Sequence, residues 1–600
     1  MKFRLNWVLS ALTAASYAAY PVWRLPLPWP AQWALLNLFL LLSAALLYTS
    51  LDEVELQAPA EELRELWPVA AAAAAVCLPF WLLPLPTGSD AQSHAGPAAW
   101  LLGRLTSAAG LNIRLLPLFS VPALLLAIAA VRKAPADRFV PGRGTAAIAL
   151  LAAGNIYFLA DLRWGIAGAI GRFETVLRYP PLSKFLYFPA YALLGVNEAA
   201  PRLVQFLFMT AAAAYMLRTS RLLGSGLPRR LSFLLVLFFP TFFNLAISAE
   251  LEAGTVLFFA AAIYHFLAAV DGDRKEFLKC AFWTAAGFFY KQLLLGLLLS
   301  FLPALAALAI FLPDRREKWL YGLKTLAIPA ALGLPFITIS TLTGIRNTAL
   351  QAANLLSPRL MTLDLIDLYR TSGAAITALL AASAAFSVMR RRSVPLWLLL
   401  YFTAAYYVMI SASAAVGYVR HAQPFYIGLA VLVLPALSAL SSKLKGQAGR
   451  LLPYAALALF AWQAMLAKDP YQRKTAFNFA ANVYPYSEAA RYLRPGQSVY
   501  APMEVEPSHF YLAKYGLAGK VRWDRDLPPG LDAGRAEARV ADGRFDYLLL
   551  PGTNIPGIDA DFRGITAALL SSGKFEEERT FDYSGNRLLL LRYVRNTGTD

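Results

Sequence analysis

Apolar residues in this chain come in long runs separated by short charged segments. A run of roughly 20 apolar residues matches the hydrocarbon thickness of a bilayer when helical. Such runs occupy 5–22, 31–49, 67–84, 114–131, 145–162, 202–218, 231–247, 254–270, 275–291, 292–311, 324–341, 373–389, 394–411, 423–440 and 451–467. After residue 467 the pattern changes. Charged residues return, and short alternating runs at Val499–Pro502, Tyr547–Leu550 and Leu588–Tyr593 predict strands, with helical stretches at Ser487–Arg494 and Phe562–Leu570 between them. The pattern predicts an all-α polytopic membrane protein of about 15 transmembrane helices, followed by a small α/β domain.

Composition agrees with that class. The chain is 58% hydrophobic and 15% charged, where soluble domains average about 45–50% apolar. Its net charge of +18 would suggest nucleic acid on a soluble protein. Here the excess sits in short loops, such as Arg132/Lys133, Arg229/Arg230, Arg315/Arg316 and Arg390–Arg392, and these all fall on one side if the N-terminus is cytoplasmic. Nucleic-acid binding is therefore not expected. The basic, apolar start is read as a retained first helix, and the odd number of spans places residues 468–600 outside. Ala- and Leu-rich helices without sorting signals point to a bacterial inner membrane, with the C-terminal domain periplasmic. The expected division is 1–144, an N-terminal helical region; 145–467, the core; and 468–600, the extracytoplasmic α/β domain. Cys77 and Cys280 lie in apolar runs with no CxxC or His-rich neighbour, so neither a disulfide framework nor a zinc site is indicated.

The chemistry-bearing stretch is 161–202, too polar to span and flanked by spans. Charges beside a bilayer line water or a polar site, because they are costly in hydrocarbon. Asp161 and Arg163 sit at the mouth of a span, where a carboxylate can serve as a general base, and Glu174 follows. Pro180 and Pro181 then break the chain, and Leu182–Leu194 can lie as an interfacial helix ending at Gly195. Residues 93–118 and 178–206 share this plan of a short amphipathic helix, a Gly and an Arg entering the next span, which makes Asp90 a rival acid. Lys291 falls at an outer turn within apolar sequence and needs an anionic partner. Arg178, Lys184, Arg420 and His421 are further cationic or polar candidates. Glu250 and Glu252 open a helix, where a carboxylate also suits the helix dipole. The 342–372 loop is either a cover over the site or a solvated connector. His94, His265 and His509 are too scattered for a metal triad, with His265 expected as a packed core residue.

Asp161 with YPPLSKFLYFPAYALLGVNEAAPRL (179–203), continuing into a span, resembles the acidic first outer loop and following proline-rich segment of polyprenyl-phosphate-dependent glycosyltransferases. That family includes protein O-mannosyltransferases and lipid A aminoarabinose transferases, with the membrane-helical GT-C fold. SAELEAGTVLFFAAAIYHFLAA (248–269), WTAAGFFYKQLLLGLLL (283–299) and YVRHAQPFYIGLAVLVLPAL (418–437) resemble later family segments in the same order. The sequence departs from the pattern in having Asp161-Leu162 for an adjacent acidic pair, Tyr179 for a His, and four preceding spans.

The resemblance implies an integral membrane glycosyltransferase that moves a sugar from a polyprenyl-phosphate donor to an acceptor hydroxyl on the outer face, with inversion. Asp161 or Glu174 would be the catalytic base. Lys291, Arg420, Arg178 and His421 would hold the donor phosphate, with Arg163, Lys184, Asp90 and Glu250 as further candidates. The partners implied are the polyprenyl-phosphate-linked sugar, a lipid, glycan or protein acceptor, and membrane lipids. No cofactor is firmly implied; some members of the wider class use a divalent metal, but no dense acidic cluster here demands one. The alternatives are a transporter or flippase of a lipid-linked substrate, and a surface-polysaccharide polymerase or ligase.

Overall fold

A computed structural model of the chain describes residues 8–9, 12, 28–50, 60–85, 91–122, 151–152, 155, 159, 186–291, 294–330, 358–390, 393–413, 423–444, 446–466, 483–503, 507–525, 527–554 and 560–594. The helical part contains α1 (Trp29–Ser50), α2 (Ala60–Trp81), α3 (Ala91–Ala108), α4 (Phe188–Leu194), α5 (Ala199–Leu222), α6 (Arg229–Leu237), α7 (Pro240–Ile247), α8 (Glu252–Asp271), α9 (Glu276–Tyr290) and α10 (Leu294–Phe311). It continues with α11 (Pro313–Ala330), α12 (Pro358–Arg390), α13 (Val394–Ser413), α14 (Gln423–Lys443) and α15 (Gln447–Leu466).

Element count and span count differ. Among the described residues, four helices are long and apolar enough to cross a membrane, or up to six if each bent pair is one span, so the expected fifteen are not confirmed. The run at 231–247 shows why periodicity overreaches. It is two helices, α6 and α7, bent by 76°. Phe239, which precedes Pro240, takes φ −57° and ψ 128°, because a proline ring disfavours helical backbone in the residue before it. Within α12, Gly373 adopts φ 72°. The Gln463 side chain crosses this break and its Nε2 donates to the Thr371 carbonyl at 3.1 Å, supplying a freed acceptor with a partner.

α5 and α8 run side by side in the same direction and form the centre of the bundle. Phe208 and Phe258 both meet Tyr290 at one end, and Tyr215 meets Tyr264 and Trp283 further along. The outer surface of the bundle carries Leu207, Leu299, Ile310, Trp397 and Trp462 exposed, which suits lipid rather than water. This is the surface of an integral membrane protein. Basic residues gather at the far end of the α5–α8 pair, where Lys318 donates to the carbonyls of Val270 and Gly272 and Arg218 lies over Tyr264.

The C-terminal unit has α16 (Tyr486–Tyr492), β1 (Ser498–Ala501), α17 (Ser508–Lys514), β2 (Arg522–Arg525), α18 (Ala533–Asp542), β3 (Tyr547–Pro551), α19 (Phe562–Ser571), β4 (Phe575–Tyr583) and β5 (Asn586–Tyr593). Its sheet order is β2-β1-β3-β5-β4, parallel over the first three strands and antiparallel thereafter. Alternation divides the strands between two cores. Tyr500, Leu548 and Leu550 pack with Val540 of α18 and Phe562 of α19, whereas Val499, Ala501, Tyr547 and Leu549 belong to a core continuous with the membrane helices. The strands expected from alternation are β1, β3 and β5. The edge strands β2 (RWDR) and β4 (FEEERTFDY) carry too much charge to show an apolar period, and charge of this kind protects sheet edges.

The two parts are joined through α3 and α17. Tyr511 Oη accepts from the Leu85 amide at 3.0 Å, and Lys514 Nζ bonds both Glu198 carboxylate oxygens at 2.7 and 2.8 Å. His509 packs edge-on against Trp100 with ring centroids 4.8 Å apart. The two stretches that share a sequence plan also meet, since Tyr191 Oη donates to the Ala95 carbonyl at 3.0 Å. Arg202 fixes α5 to the end of α2 by donating to the carbonyls of Trp81, Leu83 and Pro84, and it is fully buried.

Arg202→Met leaves three carbonyls without that donor, so it should cost at least about 3 kcal/mol, with buried unpaired groups costing about 1–3 kcal/mol each; thermal unfolding in detergent measures the loss. Burial, with a smaller contribution from the Arg525 charge, holds the His509 imidazole well below its ordinary range. The unfolded chain therefore binds a proton that the folded chain refuses. Stability should fall as pH drops below about 6.5, the unperturbed histidine value. A His509→Gln variant should show a flatter dependence of melting temperature between neutral and mildly acidic pH.

Candidate functional site

The sequence KQLLLGLLL enters α10 directly from α9, and the break between those helices exposes one lysine to a buried acid. α9 ends at Tyr290, and Lys291 takes extended backbone, φ −155° and ψ 132°, while its amide donates to the Gly287 carbonyl at 2.7 Å. Its Nζ donates to Glu252 Oε1 at 2.6 Å, with side-chain exposures of 6% and 1%. Glu252 lies in the first turn of α8, where its carboxylate also meets the positive end of the helix dipole. Glu250, two residues earlier, is buried as well, and its amide donates to Ser248 Oγ at 3.4 Å.

Close packing sets this pair in place. Tyr290 lies across α8 and its Oη donates to the Leu251 carbonyl at 2.9 Å. Gly254 makes that approach feasible, since a Cβ there would stand 2.3 Å from the Tyr290 ring. The Tyr290 ring is held between Phe208 and Phe258. On the neighbouring segment, Tyr187 Oη accepts from Gln205 Nε2 at 2.7 Å. Burial and the Glu252 charge push the Tyr187 phenol well above its ordinary range, Gln205 opposes the shift, and Glu250 adds to it. The polar groups assembled here are thus two acids, one lysine, two tyrosines and an amide, inside an apolar bundle end next to the C-terminal unit. A buried cation with an adjacent acidic cluster can orient an anion or a hydroxyl while water is largely excluded.

Of the residues singled out from sequence, the structure brings Lys291 and Glu250 into this one neighbourhood. Asp90, Asp161, Arg163, Glu174, Arg178, Lys184, Arg420 and His421 lie outside the described residues. Glu252 as the partner of Lys291, and the supporting Tyr187, Gln205 and Tyr290, were not singled out as site residues. The available signal was the demand of a lysine in apolar sequence for an acid. His265 is buried as expected, and it is also paired, with Nδ1 2.6 Å from Glu276 Oε2. The 342–372 loop is helical from Pro358, within α12. Among the described residues no cluster of three His, Cys, Asp or Glu side chains could hold a metal ion.

Comparison with known proteins bears on this same segment. Residues 178–339, which contain Tyr187, Gln205, Glu250, Glu252 and Lys291, match the profile of the family described as dolichyl-phosphate-mannose-protein mannosyltransferase. The resemblance to polyprenyl-phosphate-dependent glycosyltransferases is shown there. Two solved structures of ArnT from Cupriavidus metallidurans are also similar. The apo form is 14% identical, with 69% of this chain and 88% of that chain covered at a TM-score of 0.43. The form bound to undecaprenyl phosphate is 12% identical, with 86% and 97% covered at a TM-score of 0.47. No curated protein matches the chain in sequence.

Breaking a buried ion pair from one side strands the other charge. Lys291→Met and Glu252→Gln should each destabilise the protein by about 3–5 kcal/mol, and the double variant by clearly less than their sum; melting of the three variants in one detergent completes the cycle. Gly254→Ala drives a methyl into the Tyr290 ring and should cost about 1–3 kcal/mol, the usual range for overpacking, measured the same way.

Proposed function

We propose that the protein is a membrane glycosyltransferase that transfers a sugar from a polyprenyl-phosphate donor to an acceptor hydroxyl. The observation that carries this reading is the buried Lys291–Glu252 pair within the segment matched by the mannosyltransferase family. In the proposed reaction Asp161 or Glu174 takes the proton of the acceptor hydroxyl. The acceptor oxygen bonds to the anomeric carbon as the bond from that carbon to the phosphate oxygen breaks, with inversion, and the polyprenyl phosphate leaves with the electron pair. Lys291, aided by Arg420, Arg178 or His421, stabilises the charge that builds on the leaving phosphate. Glu252 holds the ammonium in position through one of its three N–H groups and leaves the others for the phosphate. Arg163, Lys184, Asp90 and Glu250 are placed near the donor or acceptor in the same scheme.

The site faces the outside of a bacterial inner membrane, with the N-terminus cytoplasmic and the C-terminal unit periplasmic. This orientation is supported by the Lys- and Arg-rich loops at the opposite end of the bundle. The expected division at residues 144 and 467 belongs to the same proposal.

Purified protein in lipid nanodiscs should release sugar from a polyprenyl-phosphate sugar. The Asp161→Asn/Glu174→Gln double variant should abolish release while melting like the parent. Lys291→Arg, which keeps the charge, should retain more turnover than Lys291→Met, for which a loss of about 10²–10³-fold is expected of a missing electrostatic group. Full turnover in the double carboxamide variant would remove the base assignment, and failure to cleave any such donor would remove the enzymatic reading in favour of transport.

A further inference from the structure

The sheet of the C-terminal unit has an open groove of about 770 Å³ along its β4 edge, between α16 and the strand. Its volume lies within the range of small-ligand sites. Three carboxylates, Glu488, Glu578 and Asp582, face three guanidinium groups, Arg491, Arg494 and Arg579, so the lining carries no net charge. A phosphate or polyanion would be matched by an excess of cations, and a basic peptide by an excess of acids; neither is present here. Hydrogen-bond donors and acceptors nevertheless line the groove together with the aromatic rings of Tyr492, Tyr547 and Phe581.

Those rings are pinned. Tyr492 Oη donates to Glu578 Oε1 at 2.6 Å, and Gln497 Nε2 donates to Tyr547 Oη at 3.1 Å. Tyr492 also meets Phe581 edge-on, with the Arg579 guanidinium 5.1 Å from the Tyr492 ring centre. A groove that offers flat aromatic and guanidinium surfaces, together with both ends of many hydrogen bonds, suits a ligand with an apolar C–H face and a rim of neutral hydroxyls. A peptide added as a further strand suits it less. The β4 edge bears Glu576, Glu577 and Arg579 and has a register irregularity between Glu577 and Arg579, both of which discourage strand addition.

The groove also leads somewhere. Arg491 lines it and lines a second cavity, of about 590 Å³, between the two parts of the protein. That cavity is walled by residues 194–197, which belong to the segment that begins with Tyr187 beside Glu252. Arg491 is thus shared by the groove at the β4 edge and by the cavity that adjoins residues 194–197.

We propose that the groove between α16 and β4 binds a neutral oligosaccharide, and that this saccharide is the acceptor chain, led past Arg491 toward the membrane end of the bundle. The acceptor role rests on the glycosyltransferase reading; the binding itself does not.

The test uses the full chain in nanodiscs, without donor, against fluorescently labelled neutral tetrasaccharides of hexose, N-acetylhexosamine and pentose types. A polyanionic oligosaccharide and an extended peptide serve as comparison probes. At least one neutral tetrasaccharide should bind. The Glu488→Ala/Arg491→Ala variant, altered only at exposed helix positions, should weaken that binding at least tenfold with an unchanged melting temperature, and Tyr492→Phe, which keeps the ring, should retain more binding than Tyr492→Ala. The proposal is overturned if no neutral member binds up to millimolar concentration, if the variants bind as the parent does, or if the polyanion or peptide binds more tightly. Donor cleavage is assayed separately. Saccharide binding without cleavage would sink the enzymatic reading and keep the groove; cleavage without saccharide binding would do the reverse.

Discussion

Charge taken away from water must be paired, and this constraint shapes one end of the helical bundle. Lys291 has Glu252, and Arg202 has the carbonyls that end α2. Each pairing ties together elements far apart in sequence: α8 to the end of α9, and α5 to α2. Apolar packing alone specifies such crossings weakly, because one Leu or Phe contact can replace another. A buried ion pair or a guanidinium on three carbonyls has few substitutes, since any other arrangement leaves a polar group without a partner.

The C-terminal unit extends that logic. One face of its sheet shares a core with the membrane helices, and the other is closed by α18 and α19. The contact through α3 and α17 combines apolar packing with the Lys514–Glu198 pair and the Tyr511–Leu85 hydrogen bond. The same 186–202 segment contributes Tyr187, whose phenol feels the Glu252 charge, Tyr191 on α3 and Glu198 on Lys514, so it touches both the candidate site and the C-terminal unit. Arg491, which lines both the groove at β4 and the cavity between the two parts, lies along this joint.

Much of the secondary structure is legible in local pattern. Apolar runs located α5, α8, α13 and α14, and strand alternation located β1, β3 and β5, because burial of one side chain type at a fixed period leaves a local signature. The demand of Lys291 for an acid was legible for the same reason: the cost of a charge in apolar surroundings depends on composition nearby. That Glu252 answers it, at 2.6 Å, followed from how the start of α8 meets the end of α9. Tertiary structure also decided that 231–247 is two helices bent at Pro240, that β2 and β4 are strands in spite of their charge, and that Gly254 is the gap through which Tyr290 crosses α8. Those outcomes depend on which surfaces meet, and a meeting of distant surfaces leaves no period in the chain.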